Sequence, residues 1–306
     1  MNMELKPSDV FSRIGFSLAI SLLVVNGIQL FFIAILKSLD SAWLQSKWLT
    51  WGLIIISFYW IGFPLYCLMV KSLPDAPSKP VKKLKFMELI QYGCIAYAVA
   101  YIFNLMTVGL NILIESMKTT SIFDSSKTLT VEGHPLGLLV CGVILSPIIE
   151  EILFRKILID KTRIYGDKIA ILISAITFGL YHANLSQLFY AIALGAIFAY
   201  VTLKTNCIRY AIILHMFINV MSALIMPTIL GNGTELTRIL IAIVIVLIII
   251  IIGIISFIQQ LKQFKLHEGS YYIHPRRMIS TVFVNFGMIG YFFTSLVLIF
   301  LAILTT

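Results

Sequence analysis

Two adjacent glutamates, Glu150 and Glu151, stand in the apolar stretch LLVCGVILSPIIEEILFRK, with Arg155 one turn further on. A charged side chain at the centre of a bilayer costs about 2.5–3.5 kcal/mol on insertion scales, so such residues are read first as functional. Of the 14 acidic residues, only these two fall inside an apolar run. Of the five histidines, His134, His267 and His274 lie in polar connections, which leaves His182 (in FGLYH) and His215 (in HMFIN). Two carboxylates and two imidazoles in apolar surroundings form a set suited to general acid–base chemistry.

Spacing divides their work. Glu151 and Arg155 are i, i+4 and share a helical face in the favourable acid-first order, which predicts a structural ion pair. Glu150 points about 100° away at 3.6 residues per turn. An unpaired carboxylate facing a bundle interior can serve as base or acid; alternatively, both glutamates brace the helix end. His215 and Asn219 are again i, i+4 and could donate together to a developing oxyanion, or serve as interhelical hydrogen-bond glue. Phe178 and His182 repeat the spacing. From Lys156 back to Glu150, and from Arg209 on to His215, is six residues or about 9 Å of rise, so both should lie at one depth. His182 fits less well, since Lys168 to His182 is about 21 Å on a straight helix.

The elements that must hold these residues are membrane helices. Hydrophobic residues make up 59% of the 306-residue chain and charged residues only 12%, with a mean hydropathy of +0.98. A soluble domain would carry about 25% charged residues. A span needs roughly 17–25 apolar residues, and runs of that kind occur near 14–36, 49–70, 87–115, 136–154, 210–226, 239–258 and 279–304. Residues 169–203, interrupted by HANLSQ, suit two short crossings, giving an all-α polytopic bundle of about nine spans. Lys6 and Arg13 precede the first run, which is too long for a signal-peptide core. The net charge of +9 is topological: with the N-terminus inside, 18 of the 23 Lys and Arg fall on the inner side and 5 on the outer. The positive-inside rule then sets N-in and C-out, and no nucleic-acid partner is needed. Trp43, Trp48 and Trp51 are expected in an outer aromatic belt, and Ala191, Gly195 and Ala199 on a close-packing face.

Taken in order, E-E-x-x-x-R (Glu150, Glu151, Arg155), F-x-x-x-H (Phe178, His182) and H-x-x-x-N (His215, Asn219) resemble the CPBP intramembrane proteases. That family unites type II CAAX prenyl endopeptidases with bacteriocin-processing and self-immunity proteins. Asn184 and Gln187 resemble its polar break and are candidate site-lining residues. The resemblance implies a membrane endopeptidase with a helical core of about eight spans and a site open to the cytoplasm. In it Glu150 and His182 activate a water, His215 and Asn219 hold the oxyanion, and Glu151 with Arg155 braces the motif.

The resulting expectations are one integral membrane domain over 1–306, a catalytic-motif core at 136–226, and an additional C-terminal span at 279–304. The partners are the lipid bilayer and a peptide or membrane-anchored protein substrate, in a bacterial plasma membrane. No cofactor is expected, because the chain has neither H-E-x-x-H nor C-x-x-C and Asn is a poor zinc ligand; the alternative is zinc held by Glu150, His182 and His215. Two other functions compete with the peptidase: a non-catalytic immunity or scaffold protein, and a proton-coupled transporter, the latter disfavoured by the lack of a visible internal repeat.

Overall fold

The computed structural model describes residues 6–117, 134–231 and 235–304, and these fold as a helical bundle. The helices are α1 Pro7–Ser38, α2 Leu49–Val70, α3 Phe86–Ser116, α4 Pro135–Tyr165, α5 Asp167–Tyr181, α6 Leu185–Thr205, α7 Ile208–Leu230, α8 Leu236–Leu261, α9 Pro275–Val282 and α10 Phe286–Leu304. Eight of these are long and apolar enough to cross a membrane. The expected ninth span is α5, whose 15 residues extend about 22 Å, short of a full crossing. The break after it falls where HANLSQ predicts. Ala183 takes a left-handed conformation (φ 48°), and the Asn184 side chain caps α6 by accepting from the Ser186 amide at 2.8 Å.

The run 279–304 is likewise not one helix. Asn285 separates α9 from α10: its Nδ2 donates to the carbonyls of Thr281 and Val282, and its Oδ1 accepts from the Met288 amide. A short carboxamide that satisfies both helix ends stabilises the interruption.

Several helices widen into π-type turns, at Ile55–Gly62, Leu138–Leu145, Ile152–Ile157 and Met221–Ile225. All but the third of these end two residues before a proline, namely Pro64, Pro147 and Pro227. Proline has no N–H, and its ring collides with the carbonyl four residues earlier. Looser i→i+5 turns relieve that clash without ending the helix.

Helix α5 folds back on α6 at close range. A Cβ on Gly195 would stand 3.0 Å from Ala175 Cα, and Ala191 and Ala199 are buried, as expected of a small-residue face. Helix α3 packs between α6 and α8, while α1 packs on α2, α9 and α10. Helices α1 and α10 start at the same end of the bundle, with Ser12 Oγ accepting from the Gly287 amide at 3.0 Å. A Cβ at Gly15 or Gly287 would collide with the backbone of the opposite helix. Trp43 and Trp48 are exposed, but Trp51 is not in a belt: it is buried against Gly137 and Gly142. All four cysteines are free.

Two faces result. One carries the C-terminal ends of α2, α4, α6 and α8 and the connection 71–85, which holds five lysines. It is tied together by Lys161 to Asp75 (2.8 Å), by Arg163 and His267 to buried Asp167, and by Lys82 N–H to the Thr205 carbonyl. The far face carries the N-terminal ends of α2 and α4 and the C-terminal ends of α1, α3 and α7. Lys37 and Lys47 lie there, while Lys118 and Lys127, assigned to the outer side from sequence, lie outside the described residues.

Gly287→Ala should therefore separate α1 from α10. Forcing a methyl into such a contact costs about 1–3 kcal/mol, and thermal unfolding of the purified protein in detergent should detect it.

Candidate active site

Glu150 and Glu151 occupy a short α-helical turn, Ser146–Glu151, between two π-type segments of α4. Glu151 points inward and is fully buried. Its Oε2 lies 3.1 Å from Arg155 Nε, an ion pair too misaligned to count as a hydrogen bond. The guanidinium Nη atoms have no hydrogen-bond acceptor among the described residues. Instead, the group lies 4.2 Å from the centre of the Phe178 ring, with Phe198 at 5.5 Å. A desolvated cation over aromatic faces gains about 2 kcal/mol or more. Phe178 also meets the rings of His182 and His215 edge-on, so this one side chain positions three of the ionisable groups.

Glu151 reaches further than the motif predicted. Its Oε1 accepts from His215 Nδ1 at 2.9 Å. A carboxylate on Nδ1 fixes the tautomer and leaves Nε2 facing the other way, where Glu150 Oε2 stands 3.8 Å off. The depth match between the glutamates and His215 was the sequence signal for this contact; only the choice of Glu151 for the hydrogen bond was missed.

His182 is held in the same sense. Its Nδ1 is 2.9 Å from the Phe178 carbonyl, which can only accept, so Nδ1 donates and Nε2 keeps the lone pair in the neutral ring. Its expected depth mismatch disappears because Lys168 does not mark the end of the buried region: α4 and α5 continue past it to a turn at Gly166 (φ 108°) with Thr162 and Asp167 buried. Glu150 and His182 lie equally far from Gly166 along the two helices, and so reach the same level.

Asn219 Nδ2 donates to the Gly142 carbonyl at 2.9 Å. That carbonyl is free for a local reason. Ser146 N–H bonds to Cys141 in i→i−5 register, and the next donor in that register would be Pro147, which has none. Asn219 therefore anchors α7 to α4, with its second amide hydrogen still available.

Glu150, His182, His215 and Asn219 all line one cavity of about 850 Å³, together with Phe178, Asn184 and Gln187. Glu151 and Arg155 lie behind its wall. Tyr59, hydrogen-bonded to Ser146 at 2.7 Å, and Tyr181, bonded to Ser21 at 2.7 Å, had no motif to announce them. The cavity also needs helices outside 136–226, including Leu298 and Ala302 of α10. Among the described residues no group of three or more His, Cys, Asp or Glu side chains is placed to hold a metal ion.

The lining runs toward the far face, through Ile33 of α1, Leu49 and Thr50 of α2 and Asn111 of α3. The cavity thus approaches the face opposite the lysine-rich connections.

Removing Glu151 would strand a buried guanidinium. Breaking one partner of a buried pair costs about 3–5 kcal/mol, so Glu151→Ala should unfold well below the wild type in a thermal melt. Asn219→Ala leaves the Gly142 carbonyl unsatisfied, at about 1–3 kcal/mol, and should fall between the two.

Residues 132–221, the segment holding every motif, match the family model for "Type II CAAX prenyl endopeptidase Rce1-like". Over 109 residues the chain is 36% identical to the Bacillus subtilis (strain 168) protein named "Putative membrane peptidase YdiL", covering 34% of this chain and 41% of that protein. The chain thus spans about two-fifths of the length of the curated relative it matches. No solved structure matches it. Both matches fall on the family that the motifs resemble, and each covers about a third of this integral membrane protein.

Proposed function

We propose that the protein is an intramembrane endopeptidase that hydrolyses a peptide bond of a membrane-associated substrate, with Glu150 as the general base. The observation that carries this reading is the different treatment of the two adjacent carboxylates. Glu151 is spent on Arg155 and His215, whereas Glu150 faces the cavity with the two imidazole Nε2 positions available on its side. In this reading Glu150 takes the proton of a water as the oxygen attacks the scissile carbonyl. His182 Nε2 assists as acceptor and returns a proton to the leaving amine. His215, protonated on both nitrogens with its charge balanced by Glu151 at Nδ1, donates from Nε2 to the oxyanion together with the free Asn219 amide hydrogen. No metal takes part. The protein works in a bacterial plasma membrane with its N-terminus inside.

The burial of Glu151 and Arg155 supports a bracing role for that pair, because neither reaches the cavity. Their contribution is indirect: Glu151, held by Arg155, anchors His215 Nδ1 and so turns Nε2 toward the cavity.

The test is cleavage of a fluorogenic membrane-anchored peptide by purified protein in proteoliposomes. Glu150→Gln keeps the shape and removes the base, and a positioned base contributes about 10²–10⁴-fold. Activity should drop by that amount while the melting temperature holds. His182→Ala should lose a comparable factor. Unchanged cleavage by folded Glu150→Gln would reject the assignment. Cleavage that survives EDTA and phenanthroline would remove the zinc alternative, and cleavage abolished by them and restored by zinc would establish it. A folded Glu150→Gln variant that rescues the phenotype of the deleted gene would favour a scaffold or immunity role.

A further inference from the structure

We propose that the cavity takes its peptide from the extracytoplasmic side of the membrane, so that its substrates are segments of exported or membrane-anchored chains displayed outside the cell. The proposal rests on the peptidase reading for what is bound, and on geometry for the side from which it comes.

The cavity is displaced toward the far face: past mid-helix in the direction of the basic face it reaches only Tyr97 and Ala100 of α3, Phe154 of α4 and His215 and Ile218 of α7. On α1 the lining begins at Leu22 and ends at Ile33; on α2 it covers Leu49 to Phe58; on α3 it covers Tyr97 to Asn111. Helices α5 and α6 contribute only the turn that joins them and the adjoining residues, and α10 contributes Leu298 and Ala302 near its end. Toward the basic face the helix ends are tied together by the ion pairs of Lys161 with Asp75 and of Arg163 with buried Asp167, and by the Ala76 and Lys82 amides of the connection 71–85, which bond to the Asp160 and Thr205 carbonyls.

The basic face is the one that the positive-inside rule holds in the cytoplasm. Lysines and arginines crowd the connections at 71–85 and 262–277 and the helix ends at 156–168 and 204–209, while the described far-face residues carry only Lys37, Lys47 and Arg238. The charge asymmetry and the direction of the cavity are independent observations, one from loop composition and one from packing. Together they place the mouth outside.

The walls also describe the segment that fits. Apart from Glu150 and the two histidines, no ionisable acid or base other than tyrosine lines the cavity, so charged side chains near the scissile bond would be buried without partners. Carboxamides recur along it, at Asn26 and Gln29 on α1, Asn104 and Asn111 on α3 and Gln187 on α6. Such groups can pair with the backbone of an extended peptide, whose N–H and C=O must be satisfied at membrane depth. Asn104 is also exposed on the outer surface of α3. Because it also lines the cavity, the wall is open to the outside of the bundle at this point of α3. The preferred substrate is therefore an extended, uncharged juxtamembrane segment entering from the outer leaflet.

Two measurements separate access from activity. In a background with the four native cysteines replaced by alanine, single cysteines are introduced as Ser78→Cys on the basic face, Gln45→Cys on the far face and Thr50→Cys in the cavity. Intact cells are treated with a membrane-impermeant maleimide. Labelling of Gln45→Cys and Thr50→Cys, with Ser78→Cys labelled only after permeabilisation, is the expected result. The reverse pattern overturns the proposal, and neither outcome requires cleavage. In the second measurement, right-side-out and inside-out vesicles receive an impermeant fluorogenic peptide of uncharged sequence. Cleavage confined to right-side-out vesicles is expected, and cleavage confined to inside-out vesicles rejects outer access. Absence of cleavage in both and in detergent would reject the peptidase reading, while the labelling pattern would still decide the side of access.

Discussion

A buried guanidinium has to be neutralised where it lies, and in this bundle the cation of Arg155 organises the site. Glu151 supplies the counter-charge and Phe178 the aromatic face. Because Glu151 is then fixed, its second oxygen can hold His215 Nδ1, and because Phe178 is fixed, its carbonyl can hold His182 Nδ1. Both imidazoles are thereby turned with Nε2 away from their anchors. Glu150, one residue from the ion pair and on another face of the same turn, is the carboxylate left for the cavity. The arrangement resembles the logic of an orienting carboxylate behind a catalytic imidazole, with the added requirement that the carboxylate itself be neutralised because no water reaches it.

Backbone irregularity serves the same end. The π-type turns before Pro147 shift the hydrogen-bond register and free the Gly142 carbonyl, which Asn219 then uses to lock α7 against α4. The glutamate turn follows directly. Irregular helical turns are common at functional sites, and here the cause is chemical: a proline inside a helix that must remain continuous through the membrane. The equal arms of α4 and α5 about Gly166 bring His182 level with Glu150, and the close α5–α6 contact at Gly195 leaves no room for that pairing to slip.

Much of this was legible from residues alone. The composition requires a membrane bundle because too few charged groups exist to cover a water-facing surface. The i, i+4 spacing of Glu151 and Arg155 gives their ion pair, since helical rise and twist bring such residues onto one face whatever surrounds them. The polar break after His182 is equally local, because a short carboxamide side chain at Asn184 caps the next helix. Span positions followed from apolar length, with 49–70 recovered at both ends.

What the sequence could not decide depends on distances between segments far apart in the chain. Glu151 rather than Glu150 holds His215, and that choice turns on the angle at which α7 crosses α4. Trp51 is buried rather than interfacial because Gly137 and Gly142 of a distant helix open a slot for its ring. Asn285 divides the last apolar run, though hydropathy reads through it. The face toward which the cavity runs is also absent from any local pattern, since it depends on how the lining helices pack at their two ends. Local spacing thus determined which residues could react, through the geometry of a single helix. Tertiary packing alone decided how they face one another and toward which face their cavity runs, because both depend on how separate helices meet.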